Sequence, residues 1–398
     1  MKRPNRILKF LTLLVVVIIF NTNARSGPYP DDIVCDELGC ISLSKFRSNI
    51  SNILNSKVVG YVAFIGETPF SFIDYGLART NADPPSLQMF PTLSINVASV
   101  SKVLTTIGVL QSLDRRGLTI NAKISPFLYA DWVKGPNIDT ITFRDLLTHK
   151  SGFRTPICGQ FTSYAELRAQ IANGVTLADK AVASYNNCNF GIFREMLPFM
   201  EDWAGVAFYP SEPDTQRAAE SAAFYIYYMN LKVFHPIGIA SDCKPPLTDH
   251  ILSYPFPAGA VHGDDFGDFT LKCGAGGWQL SAADLHKILV NLIRGDELLP
   301  HFQKELMAHD KLGWDNSVRN DCPDPYPCKN GAFENGANAW VRTYAGIFKC
   351  VAPVVLFLNS DVPPPYDPGE DIIGLVKDAY NGAGVPVPPG APKPKCPP

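Results

Sequence analysis

Ser99-Val100-Ser101-Lys102 places a hydroxyl and an amine three residues apart, at the head of the apolar run Val103–Leu113 (VLTTIGVLQSL). On a helix, positions i and i+3 share a face. A serine hydroxyl is a weak nucleophile until a neighbour takes its proton. A lysine whose charge is disfavoured by burial can be that neighbour. The pair suits a serine hydrolase that attacks a carbonyl without a Ser-His-Asp triad. The same spacing recurs at Ser42…Lys45 and Ser241…Lys244, so the choice rests on surroundings. Ser42 precedes the first strand-like run and lacks an apolar helix behind it. Ser241 runs into Pro245-Pro246, which a helix does not tolerate. Both are expected to be surface serines beside solvated lysines. His149 and Ser151 (THKSGF) suggest a triad, but no G-x-S-x-G pattern surrounds that serine, and His149 is expected to be structural. His262-Gly263-Asp264-Asp265 reads as an Asp/Gly turn rather than a ligand set. With no zinc-like CxxC pair, neither metal nor cofactor is expected.

The elements that must hold such a site follow from patterning. Residues 42–55 read as a polar helix, and Val58–Ile65 (VVGYVAFI) as a strand. Ser71–Ala78 reads as its hairpin partner across Gly66-Glu67-Thr68-Pro69. The Ser99 helix should run to Gly117. Thr142 can cap a short helix at Phe143–Thr148, and Ser281 can cap Ala282–Arg294. Residues 160–240 are helical in pattern, most clearly Ala218–Val233. Strand-like runs return at 339–344, 346–350 and 354–359, and a helix closes at 370–379. Strands, then helices, then strands predict an α/β (α+β) chain. Its antiparallel sheet is built from both chain ends and flanked by helices, with a mainly helical insert near 160–260.

The 398 residues are 46% hydrophobic and 18% charged, enough for one large core and unlike a nucleic-acid binder. Residues 1–24 read as a signal peptide. Lys2, Arg3, Arg6 and Lys9 precede the apolar stretch Phe10–Phe20, which is short for a membrane span, and Thr22 and Ala24 suit cleavage. Its removal leaves 31 basic and 38 acidic residues, a net charge of −7, which disfavours polyanions. No stable membrane insertion is expected after cleavage, and the location is secreted, extracellular or periplasmic. All 10 cysteines follow the signal, an even number that argues for disulfides in an exported chain. Cys35/Cys40 and Cys322/Cys328 could close short loops. Asn49-Ile50-Ser51 is the only ordinary glycosylation sequon. The chain divides into the signal, a Cys-containing lead-in at 25–44, a main domain at 45–383, and a Pro-rich tail at 384–398. Nothing in the sequence sets an oligomeric state.

Several segments, in order, resemble the serine β-lactamase and penicillin-binding-protein superfamily, best its class C β-lactamase and esterase-like branch. VASVSKVLTTIGVLQSL resembles the nucleophile helix, and ITFRDLLTHKSGF the segment that follows it. SYNNCNFGIF (Ser184–Phe193) resembles the Tyr-x-Asn element, VFHPIGI a Pro-Leu-Gly turn, and GAGGWQLSAADL a Gly-Gly-Leu-x-Ser-Thr-x-x-Asp helix start. LGW (Leu312–Trp314), KNG (Lys329–Gly331) and VVLFLNS resemble the final sheet. The likeness spans about 45–380. It implies a β-lactamase-like fold and acyl transfer through an acyl-enzyme on Ser99. In that picture Lys102 and Tyr185 move protons, and Asn187 orients Lys102 and the substrate amide. Lys329, with Asn330 and Gly331, binds substrate, the lysine attracting a substrate carboxylate. The N–H groups of Ser99 and Ala332 form the oxyanion hole. A competing Tyr-x-Asn, Tyr228-Met229-Asn230, falls inside a helix and reads as core. Asn330 departs from the family, which usually places Thr or Ser there, and lacks the hydroxyl that helps bind a carboxylate. A Cys158–Cys188 disulfide could tether the Tyr185 loop. The expected partner is a small-molecule or peptide substrate: an ester, a D-amino-acid peptide or amide, or a β-lactam. The alternative is a non-catalytic extracellular binding protein that retains the fold.

Overall fold

The computed structural model describes residues 32–387 except 155, 160–161, 203–211, 318–321, 323–325, 335–339, 350 and 367–371. The signal segment, Cys350, Cys396 and most of the tail lie outside the described residues. A hairpin of β1 (Ile33–Asp36) and β2 (Gly39–Ser42) leads into α1 (Leu43–Leu54). Strands β3 (Gly60–Ile65), β4 (Phe72–Arg79), β5 (Leu87–Gln88) and β6 (Ser94–Asn96) follow. Helices α2 (Ser101–Arg115), α3 (Phe143–Leu147), α4 (Tyr164–Asn173), α5 (Leu177–Lys180), α6 (Cys188–Met200) and α7 (Asp214–Met229) form the middle of the chain. Then come β7 (Gln279–Ser281), α8 (Ala282–Arg294), α9 (His301–His309), β8 (Cys328–Glu334), β9 (Trp340–Phe348), β10 (Ala352–Leu358), α10 (Ile372–Asn381) and β11 (Gly384–Val385).

The main sheet is six-stranded and antiparallel, in the order β5-β4-β3-β10-β9-β8. It joins the two chain ends, as the strand–helix–strand pattern predicts. Every residue of β3 and β10 is buried, because helices cover both faces. Side chains alternate between those faces. Val62, Phe64, Val355 and Phe357 join the core shared with α2 and α8. Tyr61, Ala63, Ile65, Val354, Leu356 and Leu358 join a second core under α1 and α10. α8 buries Leu285, Ile288, Leu289 and Leu292, a stripe at helical spacing. Its N-terminus carries the Ser281–Asp284 capping box, and α3 carries the matching Thr142–Asp145 box.

Three expectations change. The described part of the lead-in, from residue 32, is part of the fold: β2 pairs with β1 and β11, and the Cys35–Cys40 bridge closes the hairpin. Ser42 is no surface serine; it is buried as the cap of α1, accepting from the Lys45 N–H, while Lys45 is exposed. The runs at 339–344 and 346–350 fall largely in one strand, β9, which crosses Ala345-Gly346 unbroken. Ser241 is half-buried and donates to the Gln279 carbonyl. Tyr228 is buried and donates to the Gly108 carbonyl at 2.8 Å, a core role. Asn49 is half-buried on α1 with its amide donating to the Ala379 carbonyl, a poor glycan acceptor. Disulfides join Cys158–Cys188, Cys243–Cys273 and Cys322–Cys328. Among the described residues no helix is long and apolar enough to cross a membrane.

Candidate active site

The apolar run after Lys102 makes α2 a central helix, with twelve of its fifteen residues buried. An amphipathic surface helix shows only one apolar stripe; one apolar all round belongs inside a core. Ser99 does not sit on α2 itself but on a 3-10 turn, Ala98–Val100, immediately before it. Ala98 has φ +47°, a region costly for any residue with a Cβ. The strained turn is held by the Ala98 N–H donating to Asn96 Oδ1 at 3.0 Å and the Val97 N–H donating to the Trp278 carbonyl at 2.9 Å. It leaves Ser99 half-exposed above the buried helix.

Lys102 is fully buried, yet its ammonium has a partner for each proton. It donates to Ser99 Oγ at 2.9 Å, Asn187 Oδ1 at 2.9 Å and the Ala275 carbonyl at 2.7 Å. Burial pushes its pKa down to about 8; the Tyr185 oxygen opposes that and Lys329 adds to it. Tyr185 donates to the same Ser99 Oγ at 2.7 Å. Burial raises the phenol, but the ammonium groups of Lys102 and Lys329 outweigh it, and its pKa falls below the ordinary tyrosine value. Their Nζ atoms lie 4.8 and 5.0 Å from the Tyr185 ring centre.

Tyr185 and Asn187 precede α6, and the next residue, Cys188, is bridged to Cys158. The His149 ring stacks on Tyr185 at 4.5 Å, and its Nδ1 accepts from the Asn186 N–H at 3.3 Å. A neutral His149 therefore carries its proton on Nε2. Ser151 instead donates to Asn189 Oδ1. His149 is thus a wall for the tyrosine and no triad base.

The other side of the site is β8, the sheet edge. A Cβ on Gly331 would lie 2.5 Å from the Val97 carbonyl oxygen, 3.1 Å from the Ala98 Cβ and 2.3 Å from Thr343 Oγ1. Only glycine lets the strand pass this close to the Ser99 turn. Thr343 ties the two together by donating to the Val97 carbonyl at 2.8 Å. Ala332 is the next residue along the strand.

Lys329 does not present its charge as expected. It is buried and ion-paired with Asp315, itself buried on the 3-10 turn Asp315–Ser317. The second carboxylate oxygen of Asp315 accepts from the Asn330 N–H at 2.8 Å. Sequence reasoning missed Asp315 and the Ala275 carbonyl. Asp315 directly follows the LGW segment, but nothing in its neighbourhood marks it among 38 acidic residues.

Residues 84–198 match the family model described as Beta-lactamase. No curated protein matches the chain in sequence. Solved structures share its fold. A β-lactamase/D-alanine carboxypeptidase from Pseudomonas syringae is 13% identical, with a TM-score of 0.61 over 86% of this chain and 99% of its own. A D-stereospecific amidohydrolase from a Streptomyces species is 16% identical, with a TM-score of 0.56 over 85% and 98%. A class C β-lactamase from Rhodobacter sphaeroides is 15% identical, with a TM-score of 0.58 over 85% and 99%. The chain therefore has the fold of these β-lactamase-like structures, and the segment that matches the Beta-lactamase family model contains Ser99, Lys102, Tyr185 and Asn187.

Proposed function

We propose that this chain is an exported serine hydrolase that forms an acyl-enzyme on Ser99. The observation that carries the reading is a single oxygen, Ser99 Oγ, bonded at once to Lys102 (2.9 Å) and Tyr185 (2.7 Å). Ser99 Oγ attacks the substrate carbonyl carbon and its proton passes to the pair, to the Tyr185 phenolate or the neutral Lys102 amine. The C–O or C–N bond to the leaving group then breaks, and the pair returns the proton to that group. Water, deprotonated by the same pair, attacks the acyl ester and releases the acid and Ser99. Asn187 holds Lys102 in place. The N–H groups of Ser99 and Ala332 take the oxyanion, a role supported by the close passage of Gly331 beside the turn.

The substrate class is a small ester or a D-amino-acid peptide or amide, ahead of a β-lactam. The D-stereospecific amidohydrolase among the fold relatives favours that range. Export is supported by the basic and apolar N-terminal residues and by the disulfides, which persist in oxidising compartments. The mature protein is treated with a fluorescent penicillin and with activated esters, and the adduct is mapped by mass spectrometry. Labelling of Ser99, lost in Ser99→Ala, is expected. No acylation across a broad ester, amide and lactam panel overturns the reading in favour of a binding protein.

A further inference from the structure

We propose that Asp315 is a specificity-determining residue: by occupying Lys329 it makes the site reject substrates that carry a carboxylate on the leaving-group side and accept their neutral counterparts. The proposal rests on the acyl-enzyme reading of Ser99 and names the substrate class that site takes.

Lys329 lies on β8 two residues before Gly331, the residue that passes beside the Ser99 turn. Its Nζ is 5.0 Å from the Tyr185 ring centre, so it borders the space a leaving group crosses. A lysine so placed is a ready partner for an anion. Here that valence is filled. Asp315 and Lys329 are each about 1% exposed and are ion-paired. The other oxygen of the carboxylate is fixed by the Asn330 N–H. The pair is thus anchored to the strand at two points and cannot simply swing aside. A substrate carboxylate arriving at Lys329 meets a second carboxylate already bound. The charge of Lys329 is already compensated, so a substrate carboxylate gains no ion pair there to offset the cost of leaving water. A neutral ester meets no such cost. The side chain after Lys329 adds no hydroxyl to offset it, since position 330 is asparagine.

The test compares two matched esters, methyl 4-(butyryloxy)benzoate and 4-(butyryloxy)benzoate, which differ by a carboxylate on the leaving group. Each enzymatic kcat/KM is divided by the ester's own hydroxide-catalysed rate. Wild type is expected to favour the neutral ester by at least about tenfold, the discrimination residing in KM. Asp315→Asn frees Lys329 and is expected to bring the two esters within about threefold. Asp315→Glu, which keeps the charge, is expected to retain the preference. Equal corrected rates in wild type overturn the proposal, as does an unchanged ratio in a folded Asp315→Asn protein. If that variant does not fold, the wild-type ratio decides alone. If neither ester acylates Ser99, the hydrolase reading itself falls and this proposal with it.

Discussion

Replacing Lys102 with methionine keeps the length of the side chain and removes its amine, and two opposite effects follow. The reaction loses the group bonded to Ser99 Oγ and to Asn187, and Tyr185 loses the nearer of its two ammonium neighbours. Loss of positioned acid–base help costs about 10²–10⁴ in rate, so kcat/KM on an activated ester should fall at least a hundredfold. Stability moves the other way with pH. Lys102 titrates near 8 in the folded protein against 10.5 unfolded. The folded state therefore binds fewer protons between those values, and wild-type stability rises with pH through that window. The deficit is complete below pH 8 and amounts to about 3 kcal/mol, at 1.36 kcal/mol per pKa unit. Lys102→Met abolishes that slope, and Tyr185 drifts back upward with it. Urea unfolding of both proteins at intervals from pH 7 to 10.5 measures the difference directly. The wild-type curve should climb relative to the variant by about 3 kcal/mol. Parallel curves, or a variant within tenfold of wild-type activity, would refute the reasoning.

Tyr185→Phe removes one hydroxyl from a half-buried ring and should reduce turnover by about a hundredfold or more, with an unchanged thermal midpoint as the control for folding; near wild-type turnover speaks against the tyrosine. The pH–rate profile should rise on a limb belonging to the Lys102–Tyr185 pair as a whole. Lys102 lies at about 8 and Tyr185 is lowered, so kcat/KM should decline as pH drops from 8 to 6; a flat profile there contradicts the assignment. Gly331→Ala places a methyl 2.5 Å from the Val97 carbonyl oxygen. Overpacking of this kind costs about 1–3 kcal/mol, and the displaced strand should lower kcat at least tenfold. Calorimetry and ester kinetics on the same sample check both, and unchanged values show that the strand does not abut the nucleophile turn.

Much of this architecture was legible because local signals and tertiary demands agree. The run after Lys102 is apolar in every direction and becomes the central helix. Thr142 and Ser281 cap where the hydroxyl-x-x-Asp spacing places caps. Ser99, Lys102, Tyr185 and Asn187 meet where the order of motifs brings them. What escaped was set by contacts distant in sequence. The β1–β2 hairpin is four residues per strand, stapled by a disulfide and paired with β11 from the other end of the chain. The 3-10 turn under Ser99 depends on a positive φ at Ala98, a position where alanine gives no warning. The burial of Lys329 against Asp315 depends on which of many acidic residues the fold delivers to β8.

The strand order of the main sheet also sets a clock. β3 pairs with β10, with Ile65 opposite Val354, so the central ladder closes a loop of roughly three hundred residues, a slow kind of contact to form. The nucleophile helix emerges early in synthesis, while β8, with Gly331 and Ala332, emerges late. A chain still being made, or cut before residue 328, carries Ser99 and Lys102 but no facing strand. Under the proposed acyl-enzyme reading, a chain cut before residue 328 is expected to be inert, because the strand that faces Ser99 is missing.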